Sequence, residues 1–194
     1  GCPFLYIDIG SINTKSKRIS EPKTVTSEYV PSRAKQVLRQ NDVLISMTRP
    51  NLNAVTIVDG EFSDSIASTG FCVLRTESVL PKWIFYYVQS QHFIEGMTSL
   101  VQGALYPAVR PRDIRNHSLP LPPMNEQARI VEAIETQFSR LDAAVAALER
   151  ARAKLKRYRA AVLNAAVSGR LVPTQSSLDV LSGIASQLRS EVNS

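Results

Sequence analysis

Short apolar runs separated by turn formers fill the first eighty residues. FLYIDI (residues 4–9), DVLISM (42–47), AVTIVD (54–59) and FCVLRT (71–76) carry the branched and aromatic content of strands. Asn, Gly, Ser and Pro residues stand between them, as turns require. From Pro81 to Met97 the period lengthens. Ile84, Tyr87, Val88 and Gln91 form a partly apolar face, and Pro81 suits a first helical turn. One helix is expected over 81–97, and residues 1–120 are expected to make a mixed α/β domain.

The pattern changes at PLPP (120–123), where three prolines in four positions make a rigid joint, placed at residues 121–124. Asn125 is the expected cap, and Glu126 complements the positive end of a helix. No Pro or Gly occurs from Asn125 to Ser168, and Gly169 supplies a stop. A helix over 125–168 would be about 65 Å long at about 1.5 Å per residue. Lone globular helices rarely reach that length, so a helical partner is implied. Ile134, Phe138, Leu141, Val145 and Leu148 follow a four-three spacing. Ala151, Leu155, Tyr158, Val162 and Ala165 resume it after one step of three, which predicts a coiled-coil seam with a slip near Leu148. The competing expectation is a helix laid across its own domain. Residues 169–194 read as a tail, in which LDVLSGIASQLRSEV forms a short amphipathic helix after a Pro-Thr-Gln-Ser-Ser linker.

Composition adds a preference for an anionic partner. The chain of 194 residues has a formal charge of +6, which favours DNA, RNA or an anionic membrane surface without choosing among them. RARAKLKRYR (150–159) packs six basic residues into ten. That run either complements the helix dipole on a solvated face or meets DNA or an acidic protein surface. No apolar run approaches a membrane span, and no secretory signal opens the chain, so a cytoplasmic setting is expected. Cys2 and Cys72 have no metal spacing and read as two free thiols, with a disulfide the alternative. The first residue is Gly1, so the chain is processed, carries a remnant, or is a piece of something longer.

Familiar catalytic patterns do not occur. His92 and His117 lie outside any metal spacing, and neither a phosphate loop, a dinucleotide fingerprint nor a G-x-S-x-G context is found. Asp8, Asp42, Asp59, Glu61 and Asp64 would have to converge on a divalent ion to make a nuclease. Asp59, Glu61 and Asp64 sit in a polar turn, where solvation explains them at less cost. Nucleic-acid features are stronger. INTKSKR (12–18) mixes amides, hydroxyls and three basic residues after a strand, and SMTRPNLN (46–53) places Arg49, Asn51 and Asn53 between two strands. Arg and Asn are the side chains that read guanine and adenine edges, while Lys and Ser suit phosphates. GALYPAVRPRDIR (103–115) adds Arg110, Arg112, Arg115 and Tyr106. The expected DNA contacts are Asn13, Lys15, Lys17, Arg18, Arg49, Asn51, Asn53 and Arg110. A salt bridge is the structural alternative for Arg49.

These stretches resemble the specificity subunit of Type I restriction–modification systems along nearly the whole chain. YIDIGSIN (6–13), DVLISMTRPNLNAVTIV (42–58) and IASTGFCVLR (66–75) look like signatures of a target recognition domain. GALYPAVRPRDIRNHSLPLPPMNEQARIV (103–131) looks like its exit into the conserved region, and AAVSGRLVP (165–173) like the end of that region. The resemblance implies a non-catalytic subunit without cofactors. In the family, two recognition domains each read one half of a split DNA target. Two long helices pack antiparallel, set the gap and dock the methyltransferase subunits. Methyl transfer, translocation and cleavage belong to methyltransferase and restriction subunits. This chain departs by holding one recognition domain and one conserved helix, and by lacking the usual lead-in before YIDIGSIN. A half subunit would restore the two-fold arrangement by pairing with a second copy, giving a homodimer on a palindromic split site. A metal-dependent nuclease and a coiled-coil adaptor for a protein partner remain the alternatives.

Overall fold

The computed structural model describes residues 3–26, 30–171 and 175–192, and within them a mixed α/β region is followed by a long helix. The chain divides into two units, residues 1–135 and 136–194.

In the first unit, β1 (Phe4–Ile7) lies between β4 (Lys23–Val25), antiparallel to it, and β8 (Ile66–Ser68), parallel to it. β5 (Ala34–Val37) completes this sheet beside β8. A second sheet places β6 (Val43–Ser46) between β7 (Val55–Ile57) and β9 (Phe71–Leu74), all antiparallel. Strands β2 (Ile12–Asn13) and β3 (Arg18–Ile19) form a small hairpin.

Burial explains why β6 reads as an unbroken apolar run. Val43 and Ile45 enter a core with Ile84, Val88, Phe93, Met97, Val109 and Ile114, whereas Leu44 enters another with Ile7, Leu38, Val58, Ala67 and Phe71. Successive strand residues point to opposite faces, so a strand covered on both sides has no polar face to show. The four expected strands correspond to β1, β6, β7 and β9. At Asp8 the first of them ends, because the carboxylate accepts the Ser11 N–H and caps a 3-10 turn. Asp42 also has a structural task. Its buried carboxylate takes two bonds from Arg75, at 2.7 and 2.6 Å, and one from the Arg39 N–H.

The single helix expected over 81–97 is two. α1 (Pro81–Tyr87) and α2 (Gln91–Ser99) are separated because Ser90 is extended and its hydroxyl accepts the Phe93 N–H, starting a new helix. A short helix, α3 (Pro111–Arg115), precedes the proline joint. The long helix α4 runs Met124–Val167. It begins one residue before the expected cap: the Pro123 carbonyl accepts the Glu126 and Gln127 N–H groups, and Asn125 lies inside the first turn. It ends as expected, with Gly169 at φ +67° and the Arg170 N–H folded back to Ala165.

In the second unit, Leu141, Leu148, Leu155 and Tyr158 of the seam are exposed, Leu148 at 70%, and Val145 and Phe138 are about half exposed. Val162 is partly covered. α5 (Gln175–Val192) follows and begins inside the expected linker, since Gln175, Ser176 and Ser177 are already helical. Cys2, Val172, Pro173 and Thr174 lie outside the described residues, and Cys72 is a buried thiol on β9. No helix among the described residues is long and apolar enough to cross a membrane.

Candidate nucleic-acid interface

Three loops of the first unit are fastened to one another: the β2–β3 turn, residues 48–53 and residues 102–110. Asn13 shapes the first. Its Oδ1 accepts the N–H groups of Lys15 and Ser16, both at 3.0 Å, and the Lys17 N–H returns to the Asn13 carbonyl at 2.8 Å. The turn thereby holds Lys15 and Arg18 in solvent.

Lys17 turns inward instead. Its ammonium donates to the Asn53 carbonyl at 2.6 Å and to Asn53 Oδ1 at 3.0 Å. The Asn53 amide in turn donates to the Val88 carbonyl, at the end of α1, at 2.7 Å. Burial pushes the Lys17 pKa below its ordinary value. Lys17 and Asn53, both expected to touch DNA, are thus committed to bracing one loop against the next. The third loop joins through the backbone. The Arg49 N–H donates to Pro107, the Val109 N–H to Met47, and Thr48 pairs antiparallel with Ala108.

Backbone strain is concentrated here. Of five non-glycine residues with positive φ among the described residues, Lys17 (56°), Arg49 (49°) and Asn53 (45°) belong to this cluster. A residue before proline is normally extended, so Arg49 is held against its local preference by Pro107 and the 3-10 turn Pro50–Leu52. Such residues persist only where surrounding structure over-determines them, and they gather at functional sites. Charge is equally uneven. No Asp or Glu occurs in residues 9–20, 43–58 or 96–112, whose basic residues are Lys15, Lys17, Arg18, Arg49, Arg110 and Arg112. Asp113, just beyond the last stretch, accepts the Arg110 N–H at 2.8 Å and lies 3.7 Å from the Arg112 guanidinium. Lys15, Arg18, Arg49, Asn51, Arg110 and Arg112 are exposed.

The brace yields a direct prediction. Lys17→Met keeps the aliphatic stem but removes the donor, and should cost about 1.5–3 kcal/mol, the range for hydrogen bonds involving charged groups. Lys15→Met should cost almost nothing. Urea unfolding of the two variants checks this; equal stabilities would contradict the brace.

A second fastening holds the joint. Buried Gln127 accepts the Leu80 N–H through Oε1 at 3.0 Å and donates through Nε2 to the Pro122 carbonyl at 2.8 Å. Trp83 Nε1 donates to Pro120 and the Tyr87 hydroxyl to Ser118, while Lys82 pairs with Glu135. Helix α1 therefore grips both the proline segment and the first turns of α4. Val131 is buried there and Ile134 is partly covered, so the upper end of the expected seam lies in the first unit. None of these polar contacts was visible in the sequence pattern; the Gln among apolar helix positions was the one available signal.

The carboxylates proposed for a nuclease do not converge. Asp59, Glu61 and Asp64 are exposed, Asp8 pairs with Lys23, and no His, Cys, Asp and Glu group among the described residues could hold a metal ion. His92 and His117 lie ring to ring at 5.4 Å beside Phe93.

A strained, predominantly cationic face of three loops on a mixed α/β head is the kind of surface that suits a polyanion. The sequence signature of the Type I restriction modification DNA specificity domain matches residues 4–156, and the chain belongs to that family. It is 32% identical over 139 residues to the Type I restriction enzyme StySPI specificity subunit of Salmonella potsdam, and 30% identical over 139 residues to the EcoKI specificity subunit of Escherichia coli K12. Each match covers 70% of this chain and 30% of the relative. The crystal structure of the HsdS subunit from Thermoanaerobacter tengcongensis superposes with a TM-score of 0.76 at 32% identity, covering 90% of this chain and 44% of that one. A structure from a study of complex assembly and conformational transition of the Type I restriction–modification system gives 0.72 at 31% identity, with the same coverage. The chain thus spans less than half the length of these relatives.

Proposed function

We propose that this chain is a non-catalytic DNA-recognition module, whose three-loop face reads one half of a split duplex target. The observation that carries the reading is the face itself: three mutually braced loops whose exposed cations outnumber the one carboxylate set against them, Asp113, in a member of a DNA specificity family. Lys15, Arg18, Arg110 and Arg112 suit phosphate contacts, and Arg49 and Asn51 suit base edges. Lys17 and Asn53 act one step back, by fixing the loops that carry the others.

The exposed stripe Leu141, Leu148, Leu155 and Tyr158 supports pairing of α4 with a second long helix as a coiled coil. If the chain acts as a half-length subunit, that helix is supplied by a second copy, giving a homodimer with two heads. The pair would set the gap between half-sites and carry the methyltransferase subunits. Methyl transfer and cleavage would reside in separate methyltransferase and restriction subunits, in the cytoplasm.

Salt dependence tests the electrostatic part. With four or five phosphate contacts per head, log K against log salt should fall with a slope of about −4 for each half-site engaged, about −8 for a duplex holding both, since each neutralised phosphate contributes about −0.9. Fluorescence anisotropy with a duplex selected by the protein from a random pool measures it. A slope near zero would contradict the assignment of the face. Absence of DNA binding even with the methyltransferase subunit present would favour the adaptor reading.

A further inference from the structure

We propose that Leu105 and Tyr106 form an apolar wedge that enters the base stack of the bound duplex, an inference resting on the DNA-reading function above. They are the most exposed large apolar side chains described in the first unit, at 88% and 86%. Exposed apolar groups at a loop tip are spent area unless a partner covers them. The loop that bears them is anchored at both legs. On one side Gly103 takes φ +80° and the Ala104 N–H donates to Val101; on the other, residues 107–109 pair with residues 47–49. A tip on fixed legs can push into a stack rather than fold away from it.

The occupant is argued from charge. Arg49 is bonded to the base of the same loop through Pro107, and Arg110 and Arg112 follow within six residues of Tyr106; the one acid beside them, Asp113, faces Arg112 at 3.7 Å and leaves a net positive surround. DNA offers phosphates for those cations and an apolar stack for Leu105 and Tyr106 within one ligand. Proteins that bend or open duplexes insert Leu and similar side chains between base steps and unstack them. Aromatic rings stack on bases without demanding a particular one. The wedge would therefore act beside the readout residues and distort the step next to them, adding selection through the ease of deforming that step.

The test uses the full chain and the duplex it selects from a random pool, with 2-aminopurine placed in turn at each purine position. Binding by the wild type should raise fluorescence at one step, as the probe unstacks. The Leu105→Ser, Tyr106→Ser double variant should bind measurably more weakly and lose that rise, while Val37→Ser, an exposed apolar residue of β5 outside the three loops, keeps it. Both changes are at solvent-exposed positions, and a thermal melt unchanged from wild type confirms an intact head. Binding without any rise, or a rise that survives the double variant, would overturn the wedge and leave DNA reading standing. A double variant that binds DNA as wild type does but loses the methyltransferase subunit would also overturn it, assigning the tip to a protein. A pool that yields no bound duplex would remove the DNA-reading function and the wedge with it.

Discussion

Leu148→Asp should convert two-headed particles into single heads and lower affinity for a split duplex by about 10²–10⁴-fold, the scale on which linked binding exceeds single-site binding. Leu148 is 70% exposed on the lone chain, so the change costs the isolated helix little. In a paired seam it would bury a carboxylate beside apolar side chains with no partner, which is among the most destabilising of single changes. Leu148→Ala should show the milder form, about 2–4 kcal/mol off the pairing free energy for a truncated buried leucine. Light scattering should report half the mass for Leu148→Asp, while binding of a single half-site is unchanged. The position is informative because the four-three spacing slips between Leu148 and Ala151. A partner helix has to accommodate that slip in register, so packing there distinguishes specific pairing from general stickiness. A mass unaltered by the aspartate would exclude the seam.

Arg49→Ala and Asn51→Ala should each reduce specific binding by about 1–3 kcal/mol, the discrimination of one good bidentate base contact, and leave non-specific binding nearly intact. Lys15→Ala should instead weaken both equally and flatten the salt slope by about 0.9. Arg49 needs one further comparison because its backbone is left-handed, at φ +49°. Glycine accepts that conformation without strain. If Arg49 serves only to shape the loop, Arg49→Gly will keep specificity; if its guanidinium reads a base, Gly and Ala will lose it alike. Competition binding against the selected duplex and a scrambled one measures both, and equal losses on the two duplexes would place these side chains on phosphates or in the fold.

Much of the scaffold was legible because burial imposes a period. β6 and β7 are covered by core on both sides or nearly so, and their branched residues announce strands. Residues 125–168 lack every helix breaker, and Gly169 ends them for a stated steric reason. What escaped was set by tertiary contacts. β2 and β3 are two residues each, too short to carry a period, and β5 is half exposed. The break between α1 and α2 depends on a Ser90 cap within an otherwise helical pattern. At the candidate site the residue types were readable, but their directions were not. Lys17 and Lys15 look interchangeable two positions apart, yet one reaches Asn53 and the other reaches solvent. Tyr106 stood among the nucleic-acid candidates by residue type, but Leu105 reads as an ordinary loop residue until its exposure is known.

The central proposal is that paired α4 helices set the distance between two DNA-reading faces. Methylome sequencing of a host carrying this chain with its methyltransferase tests it, comparing the native chain with one lengthened by helical residues inserted between Leu148 and Ala151. The account predicts two short half-sites separated by a constant gap, with the half-sites preserved and the gap changed by the insertion. A single continuous site, or a gap indifferent to the length of α4, would contradict it.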